Sequence, residues 1–484
     1  MKAQRAHGSA CSTGSWVFLA CVVAGFASFK SAQSVAYATA MSPGGTPFIM
    51  LSNLSFAVVT SFPIVVAYCV AVVLAYKGWM PSFKLPVVVP ALLLASGGVL
   101  SLFGVFDALE PFVHLVVVCV MYGVGTALLT LAWVEVFASV DVVRSMQMLA
   151  SATLLSALLS NAVMRLPPSA VMVCVAALSL AGAALYLKAK RIVLASEGRP
   201  SFSPVAAGRY AKGLASISNG LAVLLALGCV VGILNSFMLI DGYAFEGSDR
   251  AGGLGVVLGY CAFFVVAYAM PRRLGMERAY RILFPVLATL LLAWPFLGFR
   301  FGYLFSVLFI MGYQFASVGV MYLIVRESHD RSLNPYVFMG ASAVMIRLSV
   351  LAGVLIGGDV ASRSYDWISK AMLIVAIAMY ALAFVLLYLS RGRKAERDGR
   401  KGRRPRPKPT DDEAFRRKAA ELGKRYGLTE REQGILSHLA RGRTSTYIGE
   451  QLWLSPNTVR GHIKKIYVKL DIHSKQELID LFLD

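Results

Sequence analysis

The sequence predicts an all-α protein in two parts: a transmembrane bundle of twelve helices arranged six and six, then a small soluble domain of four short helices. Three observations lead there. Apolar runs long enough to cross a bilayer, which takes about 20 residues, recur twelve times before Ser390. Basic residues are uneven, with 23 of the 47 lysines and arginines after Ser390. The last stretch, Leu428 to Phe482, replaces apolarity with helical periodicity punctuated by capping residues. At 57% hydrophobic and 15% charged, the chain is too apolar for one soluble domain. The net charge of +21 points to two uses of basic residues, cytoplasmic membrane loops and nucleic acid.

The predicted spans are Trp16–Ala40, Phe48–Tyr76, Leu85–Phe106, Phe112–Phe137, Ser145–Met164, Ala170–Leu187, Asn219–Ile240, Ala251–Met270, Tyr280–Gly298, Phe301–Val325, Tyr336–Gly357 and Ile368–Leu389. The first apolar run leads straight into others, so it reads as a retained span rather than a cleaved leader. The seven cysteines are scattered with no CxxC pair, so neither a disulfide framework nor a zinc site is expected. No cofactor is implied.

Loop charge orients the bundle. With the N-terminus inside, the inner loops before the tail hold 17 lysines and arginines and the outer loops five. The positive-inside rule then puts both termini in the cytoplasm, at the inner membrane. The longest internal loop, Lys188 to Gly213, is basic and divides the spans six and six. This topology resembles the major facilitator superfamily, whose two six-helix halves close around a central site. That family's loop between spans two and three carries a glycine, an acid and clustered arginines; here it reads KGWMPSFK, with neither acid nor arginine.

Polar residues inside spans mark ligand or ion paths. Lys30 in the first span and Arg347 in the eleventh fall near the predicted midplane, with Gln314 in the tenth at similar depth. Two cations at one depth favour an anionic or hydrogen-bonding small molecule. Alternatively each pairs with Glu135, a backbone carbonyl or water. No nucleophile–base pair or metal cluster stands out, so the chain does not read as an enzyme.

The membrane domain ends near residue 390. Residues 391–410 contain ten basic residues and three prolines, which cannot bury a core and read as a disordered tether. Residues 411–427 predict a connecting helix, with acids first, bases last and Gly427 as its cap. Phe415, Ala419, Leu422 and Tyr426 form its apolar face.

The C-terminal domain spans 428–484. Thr429 and Glu432 make a capping box, starting a helix at Glu430 with Ile435, Leu436 and Leu439 inward. A second helix runs from about Ser445 to Leu452. A turn, Trp453 to Ser455, leads into a third, with Ser455 as N-cap and Pro456 at the first position. Val459, Ile463, Ile466, Tyr467 and Leu470 make its apolar stripe, while Arg460, Gly461, Lys464 and Lys465 fall on the other side. Ser474 and Glu477 open a last helix. Four short helices with a tight turn between the second and third make a helix-turn-helix, and a cationic helix face suits a DNA major groove.

The blocks LTEREQ, ARGRT and LSPNTVRGHIKKIYVKL resemble the LuxR-type (NarL/FixJ) DNA-binding domain over the last 55 or so residues. Long membrane regions joined to such a domain are similar to membrane-bound LuxR-type regulators of Coriobacteriia. The resemblance implies that Arg460, Gly461 and Lys464 face bases, that Thr458, Lys465 and Lys469 neighbour phosphates, and that the last helix carries the contact of a homodimer on double-stranded DNA. One departure is Gly449, with Tyr447 and Ile448 before it, where the family has an acid and then isoleucine–alanine. Gly461 offers no side chain to a base, which leaves discrimination to Arg460 and Lys464. The expectation is a transcriptional regulator anchored in the lipid bilayer that senses a small molecule. The alternative is an active secondary transporter with an appended regulatory domain.

Overall fold

The computed structural model describes residues 15–40, 53–103, 105, 109–196, 202, 206–239, 248–269, 285–287, 289, 302–361, 374, 377, 411–440, 444–452, 454–472, 477–478 and 481–482. These contain helices, turns and no strand. The chain divides into two compact units, 1–387 and 388–484.

In the first unit the helices are α1 (Trp16–Ala40), α2 (Asn53–Tyr76), α3 (Val88–Leu102), α4 (Pro111–Ala138), α5 (Val142–Val163), α6 (Pro168–Ala195), α7 (Ala207–Leu239), α8 (Ser248–Ala269), α9 (Gly302–Arg331) and α10 (Pro335–Ala361). They match the first eight, the tenth and the eleventh predicted spans. The ninth and twelfth lie outside the described residues but for isolated positions. Eight of the ten are long and apolar enough to cross a membrane, while α3 and α8 carry shorter apolar runs.

Helices overrun their predicted ends because hydropathy registers only the part that lipid surrounds. The seventh span begins at Ala207 rather than Asn219, and α9 continues to Arg331. That last turn is held by polar contacts. Glu327 pairs with Arg326 at 3.1 Å and with Arg331, four residues on, at 2.6 Å. Ser216 of α7 donates to the same carboxylate at 2.9 Å. Starts follow local chemistry: Pro111 and Pro168 occupy first-turn positions, and Asp141 caps α5 by accepting from Val143 and Arg144 N–H.

Packing repeats with a six-span period. Within the first half, α1 packs on α5 and α6, and α2 on α4. Within the second, α7 packs on α10, and α8 on α9. Advancing the first-half pairs α1–α5 and α2–α4 by six spans yields α7–α10 and α8–α9. Between the halves, α2 meets α10 and α5 meets α8. These two contacts also exchange under the same shift, as a six-plus-six repeat related by a two-fold requires.

Between α7 and α10 the backbones nearly touch. A Cβ added at Gly353 would overlap the Cys229 carbonyl, and one at Gly357 would lie 2.8 Å from the Ile233 carbonyl oxygen. Glycine permits this approach, which supplies dispersion contact where lipid leaves little hydrophobic driving force. Gly353→Val should therefore cost about 1–3 kcal/mol or more by overpacking. A lower unfolding temperature of the full chain in detergent would report it; an unchanged temperature would contradict this packing.

Candidate nucleic-acid interface and intramembrane cluster

The second unit contains α11 (Asp411–Tyr426), α12 (Glu430–Ala440), α13 (Ser445–Leu452) and α14 (Pro456–Leu470). Residues 477–478 and 481–482 are also helical, inside the predicted last helix. The core is separate from that of the membrane unit. It joins Ala419 and Leu422 of α11, Ile435, Leu436 and Leu439 of α12, Ile448 of α13, and Val459, Ile466 and Leu470 of α14. Thus α11 docks on the domain: Gly423 faces Gln433, and its carbonyl accepts from Leu428 N–H at 2.9 Å.

Caps set each helix. The α12 box is reciprocal, with Thr429 N–H donating to Glu432 Oε2 at 2.9 Å and Glu432 N–H to Thr429 Oγ1 at 3.3 Å. Thr444 caps α13 by accepting from Tyr447 N–H at 3.3 Å. Gly449 is buried, and its carbonyl accepts from Leu454 N–H at 2.9 Å to form the turn into α14. Ser455 caps α14, accepting from Thr458 N–H at 3.1 Å. Asp471 ends it in the left-handed region at φ 53°.

The outward face of α14 presents Asn457, Thr458, Arg460, Gly461, Lys464 and Lys465, all exposed. A Cβ at Gly461 would meet nothing within 4 Å, so the helix surface is bare there. At 100° per residue, Asn457, Gly461, Lys464 and Val468 align in one stripe. Val468, 81% exposed, was missed by reasoning from charge alone; the same helical spacing could have found it.

Lys469 is placed differently from its five companions. Its ammonium donates to Glu432 Oε2 at 2.8 Å and to the Gly427 carbonyl at 3.0 Å. The carboxylate that caps α12 also holds the end of α14. The fold thus competes for Lys469 with the phosphate role that the family resemblance implies. The Lys469 hydrogen bond, aided by Thr429 and opposed by burial, holds the Glu432 carboxyl below the usual carboxylate range.

In the membrane unit, Lys30 donates to Gln33 Oε1 at 2.8 Å, and the Gln33 carbonyl accepts from the Tyr122 hydroxyl at 3.1 Å. The Tyr37 and Tyr122 rings stand 6.3 Å apart. The charge of Arg347 acts on Lys30 and on the Tyr37 hydroxyl. The two cations sit on helices of opposite halves, α1 and α10. Gln314 accepts from the Tyr260 hydroxyl at 3.0 Å, and among the described residues no contact ties it to the cation pair. Glu135 pairs with neither cation. Fully buried, it accepts from Phe83 N–H at 2.9 Å and from the Tyr336 hydroxyl, which joins α4 to the start of α10.

Residues 427–482 match the family described as bacterial regulatory proteins, luxR family. Over 57 residues the chain is 39% identical to a nitrate/nitrite response regulator protein homolog of Haemophilus influenzae, covering 12% of this chain and 27% of that protein. Over 53 residues it is 45% identical to the Fimbriae Z protein of Salmonella typhimurium, covering 11% and 25%. The chain spans about a quarter of the length of these curated relatives. The membrane region is similar to the crystal structure of a bacterial homologue of iron transporter ferroportin in the outward-facing state. That match has a TM-score of 0.55 at 12% identity and covers 78% of this chain and 99% of that one. At such identity the likeness establishes the fold alone. The C-terminal domain is thus a LuxR-type helix-turn-helix domain, joined to a multi-pass membrane region that shares the fold of that ferroportin homologue.

Lys469→Met should lower the stability of the C-terminal domain by about 1 kcal/mol, the scale of a half-exposed charged hydrogen bond. Slowed amide exchange at α12 and α14 would become faster; unchanged protection would deny the tie. The pH dependence has a definite sign. Because the folded Glu432 pKa is depressed, its stabilisation is present above the unfolded pKa of about 4.3 and is lost as pH falls through the folded value. Glu432→Gln should flatten that acid-side loss in an unfolding titration.

Proposed function

We propose that this chain is a membrane-anchored transcriptional regulator. It binds double-stranded DNA through α14, and its transmembrane bundle senses a small molecule. One observation carries the DNA reading: a capped, core-anchored helix turns Arg460, Lys464 and Lys465 to solvent around a bare Gly461. Arginine and lysine read guanine edges in the major groove, and a missing side chain lets the backbone come close. Thr458 and Lys465 flank that face as phosphate contacts.

The inner-loop charge excess supports a cytoplasmic-membrane location with both termini in the cytoplasm. Residues 391–410, which lie outside the described residues, are assigned as the tether and 411–427 as the connecting helix. A homodimer on DNA follows from the same reading. Two tethered domains raise each other's effective concentration only when the membrane parts associate. No catalytic step is assigned. A transporter with an appended DNA-binding domain is the second reading, favoured by the membrane fold.

In the full chain, Arg460→Ala should reduce discrimination between specific and random DNA by about 1–3 kcal/mol. Lys465→Ala should weaken binding to all sequences and lower the salt slope by about one. Gel shifts across a salt series test both, and an unchanged Arg460→Ala profile would overturn the assigned register. Saturable, gradient-coupled uptake into vesicles would instead favour the transporter.

A further inference from the structure

An apolar groove of about 710 Å³ runs between α2 and α4 of the first half and ends against the loop that joins α2 to α3. It follows α2 from Val59 to Leu74, about 22 Å by helical rise, and closes on Met80 and Leu85 of the loop. Apart from the Met80 thioether and the Cys119 thiol, its lining is hydrocarbon, and the thiol already accepts from the Thr60 hydroxyl at 3.1 Å. Phe62, Val66, Val70 and Val120 line it and are exposed, so it opens sideways. Both helices are long and apolar enough to cross a membrane. What meets that opening is therefore lipid. One leaflet of hydrocarbon is about 15 Å deep, so the groove is long enough for a lipid tail, and it offers a polar solute no partner.

The loop end of the groove is charged. Lys77 stands about one turn beyond Leu74, and Lys84 directly precedes Leu85. Both are exposed, and among the described residues no carboxylate pairs with either. Trp79, between them in sequence, is 71% exposed, and the Lys77 ammonium lies 4.9 Å from its ring centre. Tryptophan favours headgroup depth. The loop is also fixed in place. The Ser82 hydroxyl donates to the Phe202 carbonyl at 3.0 Å, and Phe83 N–H donates to Glu135 at 2.9 Å. The loop KGWMPSFK, with no acid of its own, thus presents two bases and a tryptophan where an apolar groove ends.

We propose that α2, α4 and this loop bind one anionic phospholipid, with an acyl chain in the groove and the phosphate held at its mouth by Lys77 and Lys84. The tail alone supplies little selectivity, because the surrounding lipid is as apolar as the groove. The lysines supply it, each as a point charge for phosphate. A zwitterionic headgroup carries its own ammonium, which offsets part of that attraction. The site lies within the first half of the bundle and stands whether or not the bundle senses a small molecule.

The test places the full chain in phosphatidylcholine nanodiscs doped with phosphatidylglycerol that carries a photoreactive acyl chain. Crosslinked peptides are then mapped by mass spectrometry. Labelling should concentrate on α2 and α4 and exceed that from the same photoreactive chain on phosphatidylcholine. Replacing both lysines, Lys77→Gln with Lys84→Gln, should cut this preference by about fivefold for each base removed. Both side chains are exposed, so this variant should fold and keeps the test decisive. Ala67→Phe, which fills the groove, should lower labelling of α2 and α4 with the lysines still in place. Sodium phosphate at matched ionic strength should leave the labelling unchanged. Equal labelling by the two lipids, or labelling spread over all the spans, would overturn the proposal. A preference that survives loss of both lysines would assign it to another basic surface, such as the tail, and overturn it too. Displacement by phosphate would do the same, because the ligand would then be a dissolved anion.

Discussion

Hydrocarbon offers a peptide group no hydrogen-bond partner, so every backbone N–H and C=O inside a bilayer must be satisfied within the protein. Most of this chain follows from that constraint. Its membrane half is built from helices. Many of its hydroxyls bond back to their own helix: Ser28 to the Ala24 carbonyl, Ser61 to Ala57, Ser179 to Val175. Polar side chains that do cross between helices are therefore informative. Ser31 of α1 reaches the Ser156 carbonyl of α5, and Ser236 of α7 reaches the Val354 carbonyl of α10. These are equivalent helix pairs in the two halves. The hydrogen bonds and the glycine contacts thus repeat the same architecture.

The soluble domain answers to water, and there the same accounting is settled at helix ends. Glu432 joins three tasks in one carboxylate. It completes the α12 cap, accepts from Lys469, and through Lys469 fixes the end of α14 to the domain's first turn. Orientation of a reading helix depends on such a tie, because a small rotation about the helix axis would move Arg460 and Lys464 off the groove. In the proposed DNA-binding reading Arg460 and Lys464 carry recognition, while Glu432 and Lys469 hold the helix that presents them.

The two halves of the protein pose opposite charge problems. On α14 the cations are exposed, hydrated and cheap to keep, so they are available to an outside polyanion. Lys30 and Arg347 are half-buried in an apolar bundle, where a charge without a partner is costly. The same residue types thus meet opposite surroundings: water on α14 and an apolar bundle around Lys30 and Arg347.

Periodicity, capping residues and loop charge by themselves determined the all-α class, the ten described span positions, the starts of α12, α13 and α14 and the inward stripe of α14. Each of these is local, set by neighbours within a turn or by the change from lipid to water. Tertiary structure alone decided the rest. Lys469 reads as one more surface base until the chain brings Glu432, 37 positions earlier, against it. Glu135 is withdrawn from Lys30 and Arg347, because Phe83 and Tyr336 occupy its carboxylate. Contacts between residues far apart in sequence leave no periodic trace, so those pairings existed nowhere until the fold formed.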